Sequence, residues 1–286
     1  MPRMDGITFL KELMSNSPMP VIIVSSLTKE GSEISLEALN LGAVEVMCKP
    51  GASYKVGDMS LELRHKIKAA AVVNLTKWKI QAQSTMQLKV EPKALLKTTN
   101  KVIAIGASTG GTQAIETVIK SFPANAPGTV IVQHMPAGFT KAFSSRLNGL
   151  CQVEVKEAED GDQIRLGRVL IAPGNKHMLI ERKGAQYFVQ VKDGPLVGHH
   201  RPSVDVLFQS VAVHVGTNAI GVILTGMGSD GSNGMLKMRQ AGSLNFAQDE
   251  QSSVVYGMPR AAFENGSVNV VLPLHKIAEE VLKACN

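Results

Sequence analysis

An α/β fold on a doubly wound, mostly parallel sheet is predicted by three features of this 286-residue chain. Short apolar runs such as "VIAIG" (102–106), "TVIVQ" (129–133) and "AIGVILT" (219–225) have the length of strands buried on both faces of a parallel sheet. They alternate with helical stretches that carry an apolar stripe, the pattern of crossover connections. Each of the three is followed at once by a Gly-rich turn or by His134-Met135-Pro136, so the irregular, polar residues gather where the strands end.

The elements follow in order. Ile7, Leu10 and Met14 share one helical face, "PVIIVSS" reads as a buried strand, "GSEISLEALNLGA" as a helix and "VEVMCKP" as a second strand. A helix over about 60–72 leads into the segment "TKWKIQAQSTMQLKVEPKALLKTTNK", which holds Trp78 and lacks sustained periodicity. Two parallel strands cannot cover both of their faces, so this first part is expected to be partly disordered or to pair with another chain. After Lys101 the alternation restarts with strand 102–106, helix 111–121, strand 129–133 and helix 138–149. The pieces "QVEVKEA", "RVLIAP", "HMLIER" and "QYFVQV", parted by turns such as Asp160-Gly161 and Lys183-Gly184, are expected to form a β-hairpin insert. Pro202 and Ser203 open a helix striped by Val204, Leu207, Phe208 and Val211. A strand at 219–225, a helix from about 231, the strand "SLNFAQ", a short helix near 259, "SVNVV" and a helix from His275 complete the pattern.

With 44% hydrophobic and 19% charged residues the composition is that of a globular chain. No apolar run reaches the roughly 18 residues of a membrane span, and Asp5 and Lys11 interrupt the start where a signal peptide needs an apolar core, so a cytoplasmic location without membrane insertion is expected. Cys48, Cys151 and Cys285 are far apart and form no CxxC pair, which supports neither a disulfide framework nor a metal knuckle. The segment from Glu62 to Lys101, with nine Lys/Arg and two acids, carries +7 and the rest of the chain −1, so the net charge of +6 belongs to this one segment. A solvated linker is the expected reading, with docking onto an acidic partner or an anionic membrane surface as the alternative, and no aromatic platform or recognition helix accompanies the lysines to suggest nucleic acid.

Residues 106–110, "GASTG", fit G-x-S-x-G, which mounts a serine on a tight strand-to-helix turn. A dinucleotide fingerprint would need glycine at Ser108, and a Walker loop would need Gly-Lys-Ser/Thr. The turn alone leaves open a nucleophile or a structural Gly/Ser turn. A nucleophilic serine requires a histidine base and an acid to hold it. His65, His177, His214 and His275 lie in or beside regular elements, and His199 and His200 in the loop "GHHRPS" stay open as substrate contacts. His134 ends the strand that follows Ser108, and consecutive parallel strands usually neighbour each other. Asp230 follows a strand end in a Gly-rich turn, with Asp249 its rival on the same ground, while Asp205 suits the first turn of its own helix.

"IGASTGG", "VQHMPAGFT", "HRPSVDVLF", "LTGMGSDGSNGM" and "QDEQSSVVYGMP", in this order from about residue 101 to the end, resemble the catalytic domain of the chemotaxis protein-glutamate methylesterases, the CheB family. The resemblance implies a catalytic triad at Ser108, His134 and Asp230, favouring Asp230 over Asp249. It also implies hydrolysis of glutamyl methyl esters on chemotaxis receptors, with glutamine deamidation as a related activity and no cofactor or metal. Backbone N–H groups near Thr109 and Met227 would hold the oxyanion, and Arg201 is a candidate substrate-facing charge. The N-terminal part resembles the second half of a flavodoxin-like response-regulator receiver, with Ser25 at the hydroxyl switch and Lys49-Pro50 at the lysine-proline pair. The expected organisation is a partial receiver over 1–72, a basic linker over 73–100 and a catalytic domain over 101–286. The resemblance puts the phosphoacceptor and its acidic pair before Met1, so Asp5 is not that site, no phosphodonor is expected to switch this chain, and pairing with a chemotaxis histidine kinase is doubtful. The rival readings are a catalytically silent scaffold of the same family and a nucleotide-binding protein.

Overall fold

Seven strands form one parallel sheet, in the order Val270–Leu272, Leu244–Gln248, Ala219–Ile223, Val102–Ala107, Gly128–Gln133, Arg168–Ile171 and Glu154–Glu157. The computed structural model describes residues 4–26, 28–49, 56–73 and 100–285. Within them the chain runs α1 (Gly6–Asn16), β1 (Ile22–Ser25), α2 (Lys29–Asn40), β2 (Glu45–Cys48) and α3 (Val56–Ala71). The sheet begins with β3 (Val102–Ala107), α4 (Gly111–Lys120), β4 (Gly128–Gln133), α5 (Phe139–Asn148) and β5 (Glu154–Glu157). Next come β6 (Gln163–Ile164), β7 (Arg168–Ile171), β8 (His177–Lys183), β9 (Gln186–Lys192) and α6 (Val204–His214). The last elements are β10 (Ala219–Ile223), α7 (Ser232–Gln240), β11 (Leu244–Gln248), α8 (Met258–Glu264), β12 (Val270–Leu272) and α9 (Leu274–Lys283). The basic segment with Trp78 lies outside the described residues.

Residue alternation along the strands divides the core into two layers. Ile103, Ile105 and Ile131 face α4, α5 and α9, whereas Val102, Ala104, Val130 and Val132 face α6, α7 and α8. Helices on both faces explain why the strands read as unbroken apolar runs.

The insert differs from its expected form. β7 and β5 are not hairpin strands: they extend the parallel sheet beyond β4, with Val169 opposite both Thr129 and Val155. β8 and β9 do form an antiparallel hairpin, joined on its far side by the two-residue β6. The turn residues between the pieces suggested hairpins throughout, but "RVLIA" is an apolar run and is buried on both faces like its neighbours.

The N-terminal segment also departs from expectation. β1 and β2 pair in parallel and pack against the large sheet's own helices, so that Leu10, Leu36, Leu39 and Val46 join one apolar cluster with Phe139 and Phe143. The segment's own α2 and α3 pack on β1 and β2, and α2 in turn packs on α5. From α4, Gln113 Nε2 donates to the Leu39 carbonyl at 2.8 Å. Phe9, Val24, Ile34 and Ile67 remain exposed on the segment's other side.

Gly106, the next-to-last residue of β3, lets α6 approach the strand end: a Cβ there would lie 2.2 Å from Val204 Cγ1. We expect Gly106→Ala to destabilise the protein by about 1–3 kcal/mol, as overpacking of a filled core does, read as a lower urea midpoint with an unchanged slope.

Candidate active site

The sheet reverses direction at β3, where β4 is added on one side and β10 on the other. Such a switch point opens a crevice at the carboxyl ends of the strands. Ser108 follows β3, His134 follows β4, and Asp230 lies in the loop after β10. Both neighbouring strands hold Ser108: its N–H donates to the Thr225 carbonyl at 3.0 Å, and its carbonyl accepts from Gln133 Nε2 at 2.9 Å. Gly226 packs against it, since a Cβ there would lie 2.7 Å from Ser108 Cβ.

Asp230 is fixed by α6. One carboxylate oxygen accepts from Ser203 Oγ at 2.8 Å and from the Asp205 N–H at 3.1 Å; the other accepts from the Val204 N–H at 2.7 Å. Two of these donors are first-turn amides of a helix, and the positive end of its dipole adds to them. Burial by itself raises the carboxyl's pKa, but His134, the Val204 amide and Ser203 outweigh it and hold Asp230 well below the ordinary carboxylate range.

His134 Nε2 lies 2.7 Å from Asp230 Oδ2. An ionised carboxylate only accepts, so this nitrogen carries the proton and Nδ1 keeps its lone pair. Nδ1 is buried and has no hydrogen-bond partner among the described residues. His134 and Ser108 line one small cleft together with Gly110, Thr112, Gln133 and Met135. Its other wall is Leu39, Val44, Glu45 and Val46 of the N-terminal segment, which leaves Ser108 only 8% exposed. Behind that wall Lys66 is tied to Glu45 at 2.8 Å and to Glu62 at 3.4 Å.

The remaining candidates separate clearly. The N–H groups of Thr109 and Met227, which flank Ser108 and Gly226, make no hydrogen bond among the described residues. Arg201 does not face the cleft as a free charge: its guanidinium donates to Asn175 Oδ1 and to the Gly194 carbonyl, which anchors the loop. Asp249 accepts from Ser252 N–H at 2.8 Å and caps its own turn. Asp205 stands in the first turn of its own helix, as expected, and its carboxylate also accepts from the Gly234 N–H of α7, while burial raises its pKa. His177 bridges the Pro195 carbonyl and the Ser203 N–H. Ser25 Oγ donates to the Gly31 carbonyl at 3.2 Å, and the Lys49 N–H donates to the Ser25 carbonyl at 2.7 Å, so these two adjoin at the strand ends of the N-terminal segment.

Three residues of the site escape the sequence reading in their actual roles. Ser203 reads as the cap of α6, which it is, but its hydroxyl also donates to Asp230. Gln133, adjacent to His134, reaches back to Ser108. His200 stacks on His134 with ring centroids 3.7 Å apart and planes 10° from parallel. Burial and then the neighbouring His134 push its ionisation down to about 3.

A model of the CheB methylesterase family matches residues 103–281. The chain belongs to the CheB methylesterase family. A protein-glutamate methylesterase/protein-glutamine glutaminase of Syntrophus aciditrophicus is 53% identical over 283 residues, covering 99% of this chain and 82% of that protein. One of Sulfurimonas denitrificans is 54% identical over 284 residues, covering 97% of this chain and 80% of its own length. The crystal structure of the Thermotoga maritima CheB methylesterase catalytic domain is 38% identical with a TM-score of 0.64, covering 65% of this chain and 99% of that one. Among the described residues no helix is long and apolar enough to cross a membrane.

The depressed pKa of Asp230 fixes the sign of a pH effect. Stability from its charged form is complete above the ordinary carboxyl value of 3.8 and is lost as pH falls through the lower folded value. Asp230→Asn should therefore be less stable than the parent protein at neutral pH and lose less further stability below pH ~4. Thermal melts from pH 7 down to ~3 check both.

Proposed function

We propose that this chain hydrolyses glutamyl methyl esters on chemotaxis receptors to glutamate and methanol, and deamidates receptor glutamines by the same route. The observation that carries the reading is the 2.7 Å contact between His134 Nε2 and a carboxylate kept ionised, because it leaves Nδ1 as the base beside Ser108. Ser108 gives its proton to Nδ1 while Oγ attacks the ester carbonyl. The N–H groups of Thr109 and Met227 receive the oxyanion, each such donor being typically worth about 3–4 kcal/mol. The tetrahedral species collapses as His134 returns the proton to the leaving methoxide, which departs as methanol. Water, deprotonated by the same nitrogen, then cleaves the acyl-enzyme and restores the serine. With a glutamine side chain the leaving group is ammonia. Asp230 fixes the tautomer and stabilises the imidazolium at each step.

The relatives' names support the substrate: protein-glutamate methylesterase/protein-glutamine glutaminase at about half identity over nearly the whole chain. The working location is the cytoplasm, where receptor signalling helices lie. The division into a receiver-like part over 1–72, a basic linker over 73–100 and a catalytic domain over 101–286 belongs to the same reading. So do the family roles of Ser25 and Lys49 as switch remnants. In that reading the N-terminal part covers the cleft and restrains turnover.

Ser108→Ala should abolish methanol release from methylated receptors while melting like the parent protein, and His134→Ala should match it, because members of such a unit do not lose activity additively. Retained activity in His134→Ala would overturn the assignment. A chain beginning at Asn100 should release methanol roughly tenfold faster than the whole chain, the effect of a covered state favoured by ~1.4 kcal/mol. Equal rates would show that the N-terminal contacts do not restrain the site.

A further inference from the structure

The loop before α6 is built to present one ring. Gly198 and His199 have φ of +57° and +70°, and Val197 and His200 exchange backbone hydrogen bonds of 3.1 and 2.9 Å around them. Two central residues with positive φ inside such a pair form a tight type I′ hairpin. The next residue is tied down as well: the Arg201 guanidinium grips Asn175 and Gly194, and its carbonyl accepts from the Asn175 N–H at 3.2 Å. His200 thus stands between a closed turn and the start of α6, both belonging to the part of the chain that carries Ser108. Its ring lies flat on His134, with centroids 3.7 Å apart.

Resting on the function proposed above, we infer that His200 is a positioning residue: its uncharged ring holds the His134 ring in line with Asp230 and eases the positive charge that His134 gains on taking the Ser108 proton. The contact to Asp230 anchors a single nitrogen and leaves the imidazole free to pivot about it. A parallel ring at stacking distance removes that freedom. A neutral aromatic face also attracts a cation held against it, most strongly where water is excluded. The groups around His200 are His134 beyond β4, Asp230 beyond β10, and His65 and Lys66 of α3. Burial and the first of these push its own ionisation to about 3, so over the range in which the enzyme works His200 offers a face and no competing charge.

The test reads the reactivity of Ser108 directly, as the rate at which a serine-directed fluorophosphonate labels the whole chain between pH 5 and 9. His200→Phe keeps the face, and His200→Leu keeps similar bulk without it. We expect the Phe variant to label within about threefold of the parent chain with its acid limb unmoved. The Leu variant should label about fivefold more slowly, with its acid limb about half a pH unit lower, because an imidazolium that is less stabilised gives up its proton earlier. Equal rates and limbs for Phe and Leu would reduce His200 to a filler and overturn the inference. Equal impairment of both would transfer the effect to a ring nitrogen and overturn it too. If the Leu variant melts below the assay temperature, His200→Met is read by the same criteria. A parent chain that labels but releases no methanol from methylated receptors would refute the substrate while leaving the His200 comparison valid. A parent chain that does not label would refute the nucleophile, and this inference with it.

Discussion

The carboxylate of Asp230 is the point on which the rest of the site depends. It collects donors from Ser203, Val204 and Asp205 at the start of α6 and one from His134. An ionised group buried to this degree is tolerated only when it is paired and hydrogen-bonded, and here the donors come from an element that the fold has already placed. The placing begins in β3. Gly106 and Gly231 lack the side chains that would strike Val204, so the first turn of α6 can come down onto the ends of β3 and β10. Packing, charge and tautomer are therefore links in one chain of causes. Without the close approach Asp230 loses its donors, and without a charged Asp230 the proton on His134 has no preferred nitrogen.

A second constraint acts from outside. The N-terminal segment has only two strands, and its helix α2 packs on α5, so Leu10, Leu36 and Leu39 share a core with Phe139 and Phe143. The same docking puts Leu39, Val44, Glu45 and Val46 over Ser108 and His134. Apolar burial and occlusion cannot be separated here, because one contact supplies both. Lys66 sits against Glu45 with its charge paired rather than free, which spares the interface the cost of an isolated buried cation.

Much of this was legible in the sequence because strand ends are. The turns after "VIAIG" and "AIGVILT" and the His134 that closes "TVIVQ" mark three neighbouring strands, and the parallel rule then brings Ser108, His134 and Asp230 to one edge. What stayed hidden depends on long-range contact. β5 and β7 looked like hairpin strands because local turn residues are visible and sheet order is not. Arg201 reads from sequence as a candidate substrate-facing charge because its partners, Asn175 and Gly194, come from other turns. The stack of His200 on His134 joins residues 66 positions apart through a loop whose two positive φ values only the fold can select. The cover over the cleft was missed for the same reason: composition shows that a two-stranded sheet needs a partner, not that its partner lies further along the same chain.

The orientation of the His134 ring follows from the sheet order itself. In the common serine-hydrolase arrangement the distal nitrogen faces the nucleophile and the proximal one faces the acid. Here the order is β4-β3-β10, which places the strand of Ser108 between those of His134 and Asp230. Adjacent strands lie about 4.8 Å apart, and the His134 N–H is bonded to the Ala107 carbonyl at 3.1 Å, one residue before Ser108. The backbone of His134 is thus already beside that of Ser108, and Nδ1, the ring nitrogen nearer that backbone, has no hydrogen-bond partner among the described residues. To reach Asp230, beyond β3, the ring must extend its far nitrogen, Nε2. A sheet that winds outward in both directions from β3 therefore sets which ring nitrogen of His134 reaches Asp230, and the charge on Asp230 then fixes the proton there.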